Sequence, residues 1–301
     1  MSQAPTHLQG LMDEDAPPTI HTSSLTPELC EAALNLTIDF QRQKQSVANA
    51  AIMKHPITVG TIVSIIAAVS YWKLGWIYKR GGFALIKDSL EEVVGVVVLC
   101  TMVISTLLTV ITRPTDVIKQ RADRIVDESK PVFGVDLKEF AASRSKKFSQ
   151  ETASKADNTK VVIYRDTPIA VISLIDIPEM TNDEKFVTRI TGAGVRKVYW
   201  KSGIIEDLID FAVSRSGQLN NSKAPKILVL FEVLSTDAEL KKVLIAKKFQ
   251  KIESRPINDS KLLKLFGVHY EIYGLPLNVT KLSELELIDG KVGSTGSKRK
   301  T

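Results

Sequence analysis

Val93-Val94-Gly95-Val96-Val97-Val98-Leu99-Cys100-Thr101-Met102-Val103-Ile104-Ser105-Thr106-Leu107-Leu108-Thr109-Val110-Ile111-Thr112 runs without a charge between Glu91-Glu92 and Arg113-Pro114. At about 1.5 Å of rise per residue, a helix of that length matches a hydrocarbon core of roughly 30 Å. Ahead of it, Ile57 to Trp72 is uncharged, and the apolar run continues across Lys73 to Tyr78. The lysine stem can lie along the helix while its ammonium reaches the interface. Two such stretches joined by a short amphipathic connection predict a transmembrane hairpin over residues 55–112, with spans at about 57–78 and 93–112. The competing reading, two buried helices of a soluble domain, would put more uncharged helix inside than so small a domain can enclose.

Charge placement sets the expected orientation. Arg113, Lys119, Arg121 and Arg124 follow the second stretch and Arg42, Lys44 and Lys54 precede the first. The connection balances Lys79, Arg80 and Lys87 against Asp88, Glu91 and Glu92. The bias places both termini in the cytosol. Residues 1–50 are polar, with Asp13-Glu14-Asp15 where a cleavable signal would be basic and then apolar, so the first span is expected to be its own uncleaved anchor. Asn-x-Ser/Thr occurs at Asn35, Asn220, Asn258 and Asn278 and never in the connection, which makes the sequons a topology test. The two cysteines, Cys30 and Cys100, can build neither a disulfide framework nor a zinc site. A net charge of +6 and the tail Ser297-Lys298-Arg299-Lys300-Thr301 suit an anionic leaflet, or simply a solvated end; Lys298-Arg299 is also similar to a dibasic retrieval signal.

Around the hairpin the chain divides further. Residues 1–24 are polar and proline-containing and are expected to be disordered or extended. Residues 25–54 form an amphipathic helix that Thr26-Pro27-Glu28 would open, with Leu29, Ala33, Leu36 and Phe40 on one stripe for packing within the protein. Residues 113–159 read as a linker with helices near 115–128 and 137–147. A compact α/β (α+β) domain is expected over 160–288, and residues 289–301 as a flexible basic tail. Within the domain, Val161–Tyr164 and Ile169–Ile175 flank Arg165-Asp166-Thr167-Pro168 as a hairpin. Strand follows at 185–190 and 195–200, separate or joined through a glycine break at Gly192 to Gly194, then helix at 203–216. Ile227–Leu234 is an apolar strand of the kind buried on both faces, and helix at 237–247 and strands at 249–252 and 269–273 complete the order.

That order, over Lys160 to Tyr273, resembles a GNAT-type N-acetyltransferase domain. In that family an Arg/Gln-x-x-Gly-x-Gly/Ala turn offers free backbone N–H groups at a helix N-terminus to the pyrophosphate of acetyl-CoA. The corresponding stretch here keeps only Gly203, with Trp200 in place of the Arg or Gln and Ile205 in place of the Gly or Ala, where a β-branched side chain should obstruct the diphosphate. Leu244 stands where many members have the tyrosine that protonates the leaving thiolate, and Lys248 replaces a glycine. The resemblance therefore implies the fold without the acetyl-transfer chemistry: no catalytic residue, no cofactor and no metal are expected. Glu232, Asp237 and Tyr199 are the remaining candidates for an acid/base set, and His269 reads as structural. There is no Walker loop, dinucleotide fingerprint, nucleophile elbow or RNA-binding aromatic signature, so nucleic acid is not an expected partner.

The two spans carry no ionisable group in their core, which argues against a transport pathway. They do carry small and hydroxylated positions that allow close helix approach. Gly60, Ser64 and Ala68, with Gly95, Ser105 and Thr109, are candidates to face either the other span or a client membrane protein. The overall plan, with Asp15-Ala16-Pro17-Pro18-Thr19-Ile20 at the start and a helix running into His55-Pro56, resembles a family of fungal endoplasmic-reticulum packaging chaperones for the inorganic phosphate transporter. The resemblance implies a non-enzymatic role with the transporter as client and COPII coat components as possible partners. A membrane-anchored GNAT-type N-acetyltransferase is the alternative, and an organelle-contact adaptor using the basic tail is a third.

Overall fold

The computed structural model describes residues 20–80, 90–142, 149–221, 224–257 and 260–278. The expectations for residues 1–19, the connection between the apolar stretches, 143–147 and the tail lie outside them. At the centre is a seven-stranded sheet in the order β1-β2-β3-β4-β5-β7-β6. The strands are β1 (Ile20–Ser24), β2 (Thr159–Tyr164), β3 (Thr167–Asp176), β4 (Lys185–Val195), β5 (Lys226–Leu234), β6 (Gln250–Pro256) and β7 (His269–Asn278). Only β4 and β5 run parallel. The β2–β3 turn holds Arg165 and Asp166 at φ 46° and 61°, the left-handed pair that a tight hairpin demands.

Helices cover both faces. On one lie α1 (Cys30–Lys54), α4 (Asp116–Asp127), α5 (Lys130–Phe133) and α6 (Leu137–Ala142). On the other lie α8 (Ile204–Asn220) and α9 (Ala238–Ala246). The alternation of β5 shows why both are needed. Ile227, Val229, Phe231 and Val233 join the core beneath α8 and α9, while Leu228, Leu230 and Leu234 point to the opposite side. Two further short helices, α7 (Gln150–Ala156) and α10 (Lys261–Leu265), flank the sheet.

Several boundaries differ from the sequence reading, each for a packing reason. Residues 20–24 are not disordered: they pair in register with β2, from Ile20 opposite Tyr164 to Ser24 opposite Lys160. The compact unit therefore does not begin at 160. β1, α1 and α4 to α6 belong to it, with Leu25, Ala33, Phe133 and Phe140 buried against Val161 and Val171. The supposed linker is thus largely packed helix. α1 starts at Cys30, because Thr26 to Leu29 form a turn in which the Thr26 carbonyl accepts from Leu29 N–H at 3.0 Å. Burial pushes the Cys30 thiol up to about 11, consistent with a packing role. Beyond Val195 the chain makes a single 3₁₀ turn at Lys197–Tyr199 and no strand.

Two long helices stand apart from this core. α2 (Pro56–Arg80) and α3 (Leu90–Thr112) pair with each other and are long and apolar enough to cross a membrane. Val63 and Met102 are 59% and 65% exposed, which no buried helix of a soluble core would show. The pair continues into the sheet domain. α1 breaks at His55, whose ψ of 139° precedes Pro56, and α3 passes through a 3₁₀ turn at Arg113–Thr115 into α4. α1 and α4 then run antiparallel, tied by Thr115 Oγ1 to Asn49 Oδ1 at 2.7 Å, Gln45 Nε2 to Asp116 Oδ1 at 2.9 Å and Arg42 to Asp123 at 2.9 Å. Both ends of the apolar pair therefore enter the same fold.

Candidate functional site

Near its C-terminal end the sheet opens. β4 and β5 pair from Lys185–Lys226 to Ile190–Phe231 and no further, although β4 continues to Val195 and β5 to Leu234. The cause is a bulge. Ser173 lies opposite Gly192 and Leu174 opposite Ile190, so Thr191 is an extra residue that turns β4 towards β3. Hydrogen bonds pin the bulge, with Thr191 Oγ1 and Ser173 Oγ both donating to the Val132 carbonyl of α5, at 2.5 and 3.0 Å. The result is a V between two strands that were parallel.

α1 fills that V. It approaches β4 so closely that a Cβ on Gly194 would collide with the Leu36 carbonyl oxygen. Phe40 projects from α1 into the core cluster of the opposite face, together with Ala193, Val195, Ile204 and Phe231, and stacks on Trp200 with ring centroids 5.9 Å apart. Gly194→Ala is accordingly expected to lower stability by about 1–3 kcal/mol, since backbone rather than a mobile side chain must give way. Gly60→Ala, in the open surface of α2, meets nothing within 4 Å and is expected not to destabilise, since alanine is the better helix former. Denaturation midpoints of the two variants check this, and equal midpoints would contradict the close approach.

One turn beyond Phe40, Lys44 lies only 5% exposed, its ammonium 5.1 Å from the Phe40 ring centroid. Burial lowers it to about 8, against the opposing pull of Glu232 and Asp237; Arg121 adds to the lowering. Arg121 of α4 bonds Glu232 at 2.5 Å and lies over the Tyr270 ring at 4.9 Å. Burial raises the Asp237 carboxyl, although it accepts the Leu240 N–H at 3.1 Å as the cap of α9. On the far face, buried Glu271 takes Lys251 at 2.6 Å and Lys241 at 3.5 Å.

A cleft of about 430 Å³ opens beside the V, between α1, α4, α5 and the bulge. Lys44, Arg121, Arg124 and Arg189 line it, with Glu128 and Glu232 as its acidic members. The fate of the acetyltransferase-like positions is plain. Gly203 caps α8 at φ 85°, Trp200 is taken up in the stack on Phe40, and Ile205 is fully buried in the core. Leu244 is likewise fully buried. Glu232 and Asp237 hold the partners just given, Tyr199 packs edge-on to Tyr164, and His269 Nδ1 lies 2.9 Å from the Gly267 carbonyl. Among the described residues no group of three or more His, Cys, Asp or Glu could hold a metal.

On the apolar pair, Thr58 of α2 is buried where its Oγ1 donates to the Ile52 carbonyl of α1 at 2.7 Å, Ile111 of α3 packs with Ala48 and Ile52 of α1, and Val96 and Cys100 of α3 are buried as well. Gly60, Ser64, Ala68, Gly95, Ser105 and Thr109 are all exposed. Two of the hydroxyls are satisfied within the helix, Ser64 Oγ donating to the Gly60 carbonyl at 2.8 Å and Thr109 Oγ1 to that of Ser105 at 2.9 Å. What the sequence reading missed was the wedge of Phe40, Lys44 and Arg121. The available signal was Lys44 itself, which extends the stripe Ala33, Leu36, Phe40 by another turn and so had to be buried with it.

The sheet domain is similar to solved acetyltransferase structures. Against the NatC complex bound to Gag peptide and CoA, the identity is 15% over 46% of this chain and 85% of that one, with a TM-score of 0.33. Naa50 of Arabidopsis thaliana matches at 14% over 51% of this chain and 93% of that one, TM-score 0.33. A GNAT-family acetyltransferase from Streptococcus pneumoniae matches at 11% over 48% and 78%, TM-score 0.34. No curated protein sequence matches the chain. The family model of the inorganic phosphate transporter chaperone Pho86 matches residues 2–277, which takes in the β1 strand, both apolar helices and the whole sheet, and the chain belongs to that family.

Proposed function

We propose that this chaperone acts without catalysis in the endoplasmic-reticulum membrane, promoting folding of the phosphate transporter and its packaging into COPII vesicles. In this reading α2 and α3 span the bilayer with both termini cytosolic, and the sheet domain sits on the cytosolic side. The exposed small and hydroxylated positions of the pair carry the reading. Gly60, Ser64, Ala68, Gly95, Ser105 and Thr109 are exposed, and their small side chains allow a third helix to approach closely. Entry of α1 and α4 into one fold supports a hairpin with both ends on the same side. Occupation of the V by Phe40 and Lys44 supports a domain that has given up acetyl transfer, because an elongated cofactor running from the α8 N-terminus would have to enter there.

Cells lacking the chaperone are expected to retain a tagged phosphate transporter in the reticulum while delivering amino-acid and sugar permeases. The triple change Gly60→Leu, Ser64→Leu, Ala68→Leu should reproduce that retention at normal chaperone abundance. Normal delivery of every permease would sink the proposal. Retention in the null alone would sink only the assignment of these positions.

A further inference from the structure

The cleft between α1, α4 and the bulge carries more positive charge than the fold neutralises. Of its four cations, Arg121 is committed to Glu232 at 2.5 Å. Lys44, Arg124 and Arg189 have no carboxylate within ion-pair distance among the described residues, and the remaining acid, Glu128, stands exposed. The Lys44 ammonium is inside the protein and opens onto the cleft, whereas unpaired cations elsewhere on the surface are simply solvated. Glu232 and Asp237 attract it and Arg121 repels it, yet its burial outweighs that attraction, so an anion beside it in the cleft would be favourable.

We propose that this cleft is a binding site for a phosphate-bearing small anion, held by Lys44, Arg124 and Arg189. Two guanidinium forks and an ammonium suit a tetrahedral dianion better than a carboxylate, because each fork can meet two phosphate oxygens while the lysine acts as a point charge. The volume of about 430 Å³ exceeds what one phosphate needs and admits a phosphate ester or a diphosphate. Gln41 also lines the cleft and offers an amide donor. The Thr191 hydroxyl does not contribute a donor, since its proton goes to Val132. The place is well chosen for signalling to the apolar pair. Lys44 lies on α1 and Arg124 on α4, the helices that continue into α2 and α3, roughly 15 Å of helix from the junctions. The site stands independently of the chaperone's export role, and its failure would leave that role untouched.

Calorimetric titration of the detergent-solubilised full chain with pyrophosphate and with inorganic phosphate tests the site, using acetate at matched ionic strength as control. Saturable phosphate or pyrophosphate binding is expected, weakened at least tenfold by Arg124→Gln with Arg189→Gln at unchanged circular dichroism, and less by Arg124→Lys with Arg189→Lys. If the free anions fail, nanodiscs with and without phosphatidic acid give the second arm. Binding confined to the acidic nanodiscs and lost in the Gln variant would assign the phosphate to a lipid headgroup. Equal binding of acetate, indifference to the Gln variant, or absence of binding in both arms would overturn the proposal.

Discussion

Phe40→Ala is expected to lower the stability of the sheet domain by about 3–5 kcal/mol, the range for deleting a buried aromatic ring from a core that cannot collapse around the gap. Collapse is restricted here because the ring sits between strands whose separation is fixed elsewhere. Thr191 and Ser173 hold the bulge on the Val132 carbonyl, and the β4–β5 ladder ends at Ile190–Phe231 whatever fills the V. The stack on Trp200 is lost as well. Tryptophan emission supplies an internal reading, since Trp200 should move to longer wavelength while Trp72 on exposed α2 should not. Phe40→Leu, which keeps most of the volume, is expected to cost no more than about 1.5 kcal/mol. A midpoint unchanged in Phe40→Ala, with unchanged emission, would mean that α1 does not occupy the V.

This wedge also marks where the sequence stopped being readable. The hairpin at Arg165–Pro168, the apolar strand at Ile227–Leu234 and the helix after Gly203 were legible because each is a local pattern: a turn, a run, a periodicity. The long apolar helices were legible for the same reason, whereas in place of the break expected at Gly192 to Gly194 there is a bulge at Thr191 within one continuous strand that ends at Val195. The partner of those glycines was not legible. Gly194 is needed because a helix more than 150 positions earlier presses its backbone on β4, and nothing within the strand encodes that distance. β1 went unread for a related reason, since four of the five residues of Ile20–Ser24 are polar and the segment becomes a strand through the edge that β2 offers. The basic cleft is a third instance, assembled from α1, α4 and β4 with no motif on any one of them.

Lys44→Met should stabilise the protein at pH 7 by about 1–3 kcal/mol, an uncommon sign for a core substitution. The folded ammonium loses its proton near pH 8, against 10.5 for an ordinary lysine. Between those values the unfolded chain binds more protons than the folded one, so stability rises with pH across that window. Below pH 8 both states are charged and the folded state bears the whole burial cost, of order 3 kcal/mol. Attraction from Glu232 and Asp237 and repulsion from Arg121 already act within that lowered value. Methionine has similar length, fills the same channel beside Phe40 and carries no charge. The advantage of the variant should therefore be constant below pH 8 and shrink as the pH approaches 10, in denaturation curves of both proteins measured in parallel. An anion in the cleft supplies the missing counter-charge, so pyrophosphate at saturation should stabilise the wild-type chain, leave Lys44→Met less affected and close much of the gap between them at pH 7. A variant less stable than wild type at pH 7, by an amount that does not change with pH, would show that the lysine is held by its acidic neighbours and needs no ligand.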